Sequence, residues 1–360
     1  MSSTFTLPLG PVHVALEEPV YFKLDVEGEV IRDVNLTSGH VHRGMEAMAA
    51  QRSLIKNTTL TERVCSLCSN SHSFTYCMSV ENALQMTIPP RASYLRVLAE
   101  EIKRVASHLF NTAIQAHIIG FSSLFMHVME VREMMQDVKE TVYGNRMNLA
   151  ANCIGGVKYD VDQEMLDYIV KMVDKIAPKA EEIRDIYRTN HNILARTSGI
   201  GLLPHEDAVR LGVVGPVARG SGVMNDVRKE SPYAAYTELE FKSFLSNGCD
   251  IHSRTQIRLD EVMESLRMIK VICKNVPGGP LTTPMNAIPV TQACARSEAP
   301  RGEVFYYLRT NGTDTPERLK WRVPSYMNWE ALGVMMKDCA VADVALITNS
   351  IDPCVSCTER

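Results

Sequence analysis

The chain has 360 residues, of which 45% are hydrophobic and 22% charged, and its formal net charge at pH 7 is −4. These values are ordinary for a globular protein with a sizeable core, and the mild negative charge argues against nucleic acid as a partner. No apolar run approaches the roughly 20 residues that a transmembrane helix needs, and the N-terminus lacks the features of a secretory signal. A cytoplasmic location is therefore the default expectation, in which the ten cysteines are better explained as metal ligands or buried side chains than as disulfides.

Small β-structures are predicted near both ends of the chain. Residues 20–31 alternate apolar and polar side chains around a turn at Gly28, which is typical of a β-hairpin with one buried face. A second β-like stretch covers 302–323 and contains turn-forming residues at 310–314.

Between these stretches the sequence predicts mainly helices. The segment 94–119 follows two prolines and carries apolar residues at spacings of three and four, as a long amphipathic helix does. Further helices are predicted at about 122–142, 161–190 with a break at Pro178, 254–275 and 330–349, and loops at 197–222 and 276–280.

The predicted fold class is α+β and predominantly α, with a central bundle of long helices and small peripheral antiparallel hairpins. We expect a single domain over 1–360. Within it, 1–60 would form an N-terminal β-hairpin region, 61–300 a helical bundle, and 301–360 a β segment, a helix and a C-terminal metal-binding motif.

Two CxxC motifs lie near opposite ends of the chain. Cys65 and Cys68 belong to ERVCSLCSNSH, and Cys354 and Cys357 belong to DPCVSCTER. Two intervening residues allow both thiolates of a pair to bind one ion, and two pairs supply four soft ligands. Taken alone, each pair is also compatible with a redox dithiol or with incidental buried cysteines. A structural zinc site usually closes a short loop, so the long separation favours a metal centre placed in an almost folded protein.

The remaining cysteines show no pairing pattern. We expect them to be small buried hydrophobic residues; they are Cys77, Cys153, Cys249, Cys273, Cys294 and Cys339.

The first CxxC motif resembles the R-[IV]-C-x-x-C-x-x-x-H signature of [NiFe]-hydrogenase large subunits, and the second resembles their C-terminal D-P-C-x-x-C-x-x-[HR] signature. The resemblance extends over nearly the whole chain through GPVHVALEEP, GHVHRGME, EAPRGE and VPSYMNW. The short length and these motif forms are similar to the energy-converting branch, which includes Ech-type and CO-induced hydrogenases. That branch is related to the quinone-site subunit of respiratory complex I, which lacks the cysteine pairs.

The resemblance implies a nickel–iron centre of composition NiFe(CN)2CO. Cys65 and Cys354 would be terminal ligands of nickel, and Cys68 and Cys357 would bridge nickel to an iron that carries CO and cyanide. Cys354 would also act as a base, because a thiolate that binds a soft metal can accept a proton.

The same resemblance assigns roles to charged residues around the metals. Glu18 would relay protons away from Cys354, with Glu17 as the alternative if the register slips by one; otherwise both are solvated turn residues. Glu46 matches a carboxylate that helps to hold a magnesium-type ion. Arg360 replaces a metal-binding histidine of many relatives, and since arginine cannot be a ligand, that ion is doubtful and an Arg360–Glu46 ion pair is expected.

Four further residues would line the metal centre. Arg301 would place its guanidinium over the metals, and Pro300 and Ser325 would surround the diatomic ligands. His72 would donate to a bridging thiolate, as histidines around metal sites often do. Without the resemblance, Arg301 would be a surface arginine and His72 a core or surface histidine.

The predicted function is reversible reduction of protons to H2 by an energy-converting [NiFe] hydrogenase. The resemblance implies a small subunit with a [4Fe–4S] cluster, placed against the N-terminal hairpin and the first CxxC motif, and ferredoxin or a CO dehydrogenase relay as donor. Further iron–sulfur and integral-membrane subunits would couple the reaction to ion translocation, and maturation proteins would assemble the centre. The chain would then be peripheral on the inner face of the cell membrane.

Two other functions are compatible with parts of the sequence. A complex I-like subunit that acts at a quinone is disfavoured because all four cysteines are present. A zinc-stabilised scaffold would be recognised by metal analysis.

Overall fold

The computed structural model describes residues 4–13, Leu16 and 18–360. The strands are β1 (Thr4–Leu9), β2 (Tyr21–Glu27), β3 (Val30–Thr37), β4 (Asn152–Cys153), β5 (Gly156–Val157), β6 (Val290–Ala299), β7 (Gly302–Asn311) and β8 (Arg318–Arg322). The helices up to the end of the bundle are α1 (Met45–Ala49), α2 (Leu54–Glu62), α3 (Ser69–Ala83), α4 (Pro90–Ile119), α5 (Ser122–Tyr143), α6 (Gln163–Thr189), α7 (His191–Thr197), α8 (His205–Leu211), α9 (Gly215–Arg219), α10 (Val227–Glu230) and α11 (Ile251–Asn275). The last helices are α12 (Pro324–Asn328), α13 (Ala331–Met336), α14 (Val344–Ser350) and α15 (Val355–Thr358). The predicted α+β fold, predominantly α, is confirmed.

The largest core lies between the four long helices α4, α5, α6 and α11. Helix α4 begins at Pro90, where a missing backbone N–H costs nothing, and ends at Gly120, whose φ of +89° suits a residue without a Cβ. Helix α6 begins after Asp162, whose carboxylate accepts the N–H of Met165 at 2.9 Å. Helices predicted at 94–119, 122–142 and 254–275 are therefore confirmed, with small shifts at their ends.

The predicted break at Pro178 is wrong, because α6 continues through this proline. Pro178 is exposed, whereas Ile176 and Ala180 on either side are buried in the main helical core. Packing of a continuous apolar stripe thus outweighs the loss of one helical hydrogen bond on the solvent side.

Two three-stranded antiparallel sheets flank the bundle, in the orders β1-β2-β3 and β6-β7-β8. The predicted hairpins are β2–β3 and β7–β8. Strands β1 and β6, which extend both sheets, were not predicted. A short ribbon of β4 and β5 is separate from them.

Two other predictions are corrected. The segment predicted as one helix at 330–349 forms α13 and α14, because the chain between them pairs with β3: Ile31 donates to the carbonyl of Cys339 at 2.9 Å, and Asp338 donates to the carbonyl of Ile31 at 2.9 Å. The region predicted as a loop at 197–222 contains α8 and α9.

A separate core joins α3, the β6-β7-β8 sheet and the segments that carry both CxxC motifs. Tyr306 and Trp321 stack in it, with ring centroids 5.4 Å apart. Cysteines from opposite ends of the sequence therefore meet between the helices and this sheet. Within the described residues, none of the helices combines the length and apolarity needed to cross a membrane.

Candidate metal centre

The four cysteines of the CxxC motifs lie together in the interior. Cys65 is in the turn between α2 and α3, and Cys68 caps α3; Cys354 caps α15, which contains Cys357. The Sγ atoms of Cys65, Cys68 and Cys357 lie within 4.8 Å of one another. Cys354 completes the group, because its thiol donates a hydrogen bond to the sulfur of Cys65.

The four thiols differ in how readily they lose a proton. Hydrogen bonds from Cys354, Cys357 and Cys68, in that order, hold the pKa of Cys65 well below its usual range despite burial. Burial raises the pKa of Cys357 well above its usual range. The group thus stabilises a thiolate at Cys65 and has further protons for an incoming metal to displace. Four buried, converging sulfur atoms fit a thiolate-bound transition metal, including a nickel–iron centre.

Arg301 covers the cysteine cluster from the buried side. Its Nη1 donates to Cys68 Sγ at 3.1 Å and to Ser107 Oγ at 3.1 Å. Its Nη2 donates to Asp352 Oδ1 at 2.6 Å and its Nε to the Asp352 carbonyl at 2.8 Å. Despite burial, Asp352 above all, followed by the neighbouring thiols, raises the pKa of Arg301, so the guanidinium stays charged beside the metal position.

The turn between β6 and β7 aims Arg301 at the cluster. Pro300 is buried in this turn. Gly302 (φ +126°) packs against Gly215, and a Cβ on Gly215 would lie 2.4 Å from the Arg301 carbonyl oxygen. Both glycines are therefore needed for the start of α9 to pack closely against this turn.

His72 projects from α3 to the other side of the cluster. Its Nε2 lies 3.3 Å from Cys357 Sγ and its Nδ1 lies 2.8 Å from the Tyr306 hydroxyl. Burial lowers the pKa of His72 to about 4, so the ring is neutral near pH 7. A neutral ring can donate from Nε2 to the sulfur and accept the tyrosine proton at Nδ1.

Glu18 caps the helix that contains Cys357. Its Oε2 accepts the backbone N–H groups of Val355 at 2.5 Å and Ser356 at 3.0 Å, and its Oε1 accepts the Ser356 hydroxyl. The Cys354 N–H is donated to Ser325 Oγ at 3.0 Å. The backbone of Cys354 is thus held by Ser325 and followed directly by two amides that bind Glu18. Glu17 lies outside the described residues.

Glu46 forms the expected ion pair with Arg360, whose Nε lies 3.0 Å from Glu46 Oε1. Arg318 Nη2 lies 3.7 Å from the other carboxylate oxygen. Two guanidinium groups do not fit a magnesium site, and among the described residues Glu46 joins no group of three potential ligands.

Several residues of the site had no role in the sequence analysis. Asp352 and Arg43 stood inside quoted motifs, which was the only signal for them. Arg43 Nη2 donates to the Val64 carbonyl at 2.6 Å and to the Ser356 carbonyl at 3.0 Å. Lys103 Nζ donates to the Ser66 carbonyl at 2.9 Å.

The six other cysteines join no metal-binding group within the described residues. Cys77 and Cys273 are buried, as expected, and Cys153, Cys249 and Cys339 are half-buried. The expectation is wrong for Cys294, which is exposed on β6, an edge strand of its sheet.

Comparisons with known proteins agree with this geometry. Residues 43–114 match the family model of nickel-dependent hydrogenases, and residues 119–289 and 281–360 match that of the 49 kDa subunit of respiratory-chain NADH dehydrogenase. A carbon monoxide-induced hydrogenase of Rhodospirillum rubrum is 57% identical over 360 residues, covering 99% of this chain and 100% of that protein.

Two more distant relatives are named as subunits of a membrane-bound hydrogenase and of a formate hydrogenlyase. Membrane-bound hydrogenase subunit alpha of Pyrococcus furiosus is 33% identical over 98% of this chain and 87% of its own length. Formate hydrogenlyase subunit 5 of Escherichia coli is 36% identical over 98% of this chain, which spans 63% of that longer protein. The chain therefore belongs to the [NiFe]-hydrogenase large-subunit family of oxidoreductases, in the energy-converting branch related to the 49 kDa subunit of respiratory complex I.

Proposed function

We propose that this chain is the catalytic subunit of an energy-converting [NiFe] hydrogenase, which interconverts H2 with two protons and two electrons. The observation that carries the proposal is the convergence of four buried cysteines beneath the charged, buried Arg301. When bound by these cysteines, a NiFe(CN)2CO centre supplies the redox chemistry. Cys65, Cys68, Cys354 and Cys357 would hold this centre through their thiolates.

Arg301 provides positive charge where diatomic ligands and polarised H2 would lie. A guanidinium fixed by Asp352 and Ser107 needs no rearrangement during the reaction, and such preorganised donors are effective in a buried site. Pro300 and Ser325 would complete the pocket around the diatomic ligands. His72 would donate to Cys357 and moderate the charge on that sulfur.

Protons would leave through Cys354 and Glu18. Cys354 would accept a proton at Sγ, and the Glu18 carboxylate is bound to the two amides that directly follow this cysteine. A thiol and a carboxylate in series form a short relay. Ser356, whose hydroxyl donates to Glu18, fixes the carboxylate.

Electrons would arrive from a partner small subunit that carries a [4Fe–4S] cluster. The N-terminal β-hairpin and the first CxxC motif would form the contact face, since exposed Arg43 and Arg63 lie over the cysteine loops there. Relatives named as subunits of larger complexes support further iron–sulfur and membrane subunits. This chain would be peripheral on the cytoplasmic side of the membrane, and ferredoxin or a CO dehydrogenase relay would supply the electrons. The membrane subunits would couple the reaction to ion translocation. Maturation proteins would assemble the metal centre.

The proposal is tested by H2 evolution with a strong reductant and by H2–D2O exchange in the purified complex. We expect both activities in the wild type and neither in Cys354→Ser, whereas Cys339→Ser should behave as wild type because Cys339 lies outside the cluster. Quinone reduction without H2 evolution or exchange would instead favour a complex I-like function.

A further inference from the structure

Arg43 connects the two cysteine loops from the exposed side. One nitrogen, Nη2, donates to the carbonyl of Val64 at 2.6 Å and to the carbonyl of Ser356 at 3.0 Å. The other terminal nitrogen, Nη1, donates to the carbonyl of Arg63 at 3.3 Å. The guanidinium thus binds the backbone of both CxxC motifs.

Each bound carbonyl directly precedes a cysteine, the first cysteine of one motif and the second cysteine of the other. The Val64 carbonyl belongs to the peptide unit whose nitrogen is that of Cys65, and the Ser356 carbonyl belongs to the peptide unit whose nitrogen is that of Cys357. Because a peptide unit is planar, holding its oxygen also restricts the Cα of the following cysteine. Because a single nitrogen of Arg43 binds both oxygens, it restricts the distance between Cys65 and Cys357.

The backbone around Arg43 is attached to the second motif at other points. The amides of Gly39 and Val41 each donate to the Glu359 carboxylate at 2.5 Å, and His42 Nδ1 lies 2.8 Å from the Glu359 carbonyl. The backbone segment that carries Arg43 is therefore itself fixed to the C-terminal loop. The position of this backbone depends little on the contacts of the exposed Arg43 side chain.

We infer that Arg43 is a positioning residue that holds the two cysteine loops at the separation required by the metal centre. This inference rests on the proposed function, since it assumes that both loops bind one dinuclear centre. Arg301 joins the loops from the buried side through Cys68 and Asp352, and Arg43 joins them from the outside. Loss of Arg43 would leave Arg301, Glu18 and Glu359 in place, so the chain should still fold and the loops should drift only slightly.

The test compares Arg43→Gln and Arg43→Lys with Arg52→Gln in the purified complex. Arg52 is an exposed arginine nearby with no side-chain contact to either loop, which makes it a matched control. The readouts are nickel and iron content, the infrared bands of CO and cyanide, and kcat and KM for H2.

We expect Arg43→Gln to keep nickel and iron but to shift and broaden the infrared bands and to lower kcat about tenfold, the lower end for residues that support metal ligands. KM should be unchanged, because Arg43 does not face substrate. Arg43→Lys should recover part of kcat, since an ammonium can donate to both carbonyls.

The inference would be overturned if Arg43→Gln had the same infrared bands and the same kcat as Arg52→Gln. If Arg43→Gln fails to retain metal, Arg43→Lys decides: shifted bands support the inference, and wild-type bands and kcat overturn it. A matured wild type without nickel or infrared bands would reject the proposed function instead, which separates the two failures.

Discussion

Arg301 Nη2 lies 2.6 Å from Asp352 Oδ1, and both side chains are almost fully buried beside the cysteine cluster. Asp352 begins the second cysteine motif, two residues before Cys354, whereas Arg301 lies in the turn between β6 and β7. The ion pair therefore fixes the charge above the cluster and the start of the loop that carries Cys354 and Cys357.

Substitutions of Arg301 should distinguish the effect of its charge on kcat from the effect of its planar set of donors. Arg301→Lys keeps one positive charge but loses the planar set of donors to Cys68, Ser107 and Asp352, and we expect kcat to fall about a hundredfold, as when a preorganised donor is removed. Arg301→Gln should be slower still. The measurement is H2 evolution by complexes of equal nickel content. Arg309→Gln is the control, since Arg309 is exposed on β7, the strand that follows Arg301. A wild-type kcat in Arg301→Lys would show that the planar arrangement of donors is unimportant.

Replacing Asp352 should mainly affect stability. Its φ of +53° is tolerated by asparagine, so Asp352→Asn removes the charge with little backbone strain. A buried arginine that loses its partner costs about 3 kcal/mol, which should lower the melting temperature measurably. Asp338→Asn is the matched control, because Asp338 has φ +61° but pairs with Arg32 at the surface. Equal melting temperatures for the two variants would contradict this explanation.

Glu18→Gln tests the proton relay without removing the helix cap. The amide oxygen of glutamine can still accept the N–H groups of Val355 and Ser356, so nickel and iron content should be retained. Without an ionisable group, proton transfer and hence H2–D2O exchange should fall by roughly 10²-fold or more. The matched control is Glu29→Gln at an exposed turn. Unchanged exchange in Glu18→Gln would mean that protons leave by another route.

Glu298 predicts a specific pH dependence of stability. Burial raises the pKa of Glu298 to about 7 from a usual value near 4.5, although Arg219 opposes the shift. Between about pH 4.5 and 7 the folded chain holds a proton that the unfolded chain has lost, so this contribution to stability decreases as pH rises through that range. We expect the melting temperature of the wild type, relative to that of Glu298→Gln, to decrease from pH 4.5 to 7 and then level off. A difference that is constant with pH would contradict a raised pKa.

Local sequence signals predicted much of the fold and the four cysteines that the structure brings together. The spacing within each CxxC motif, the alternation in β2 and the apolar period of α4 can each be recognised in a short window. The ion pair of Arg360 with Glu46 followed from a single substitution in a familiar motif.

Features that depend on tertiary packing were missed. Pro178 lies inside α6 because buried neighbours hold the helix together, and the segment between α13 and α14 pairs with β3 instead of continuing a helix. The contacts of Arg43 and Ser107 join residues far apart in sequence, and no spacing pattern marks them.

The most direct test of the metal centre is nickel and iron analysis of the fully matured complex, combined with infrared spectroscopy in the CO and cyanide stretching region. The proposed function predicts one nickel per catalytic chain, iron in excess of nickel because the partner subunits carry iron–sulfur clusters, and one CO band and two cyanide bands that disappear in Cys68→Ser. Zinc without nickel, or an absence of these bands in the wild type, would contradict it and leave the four cysteines as a structural site.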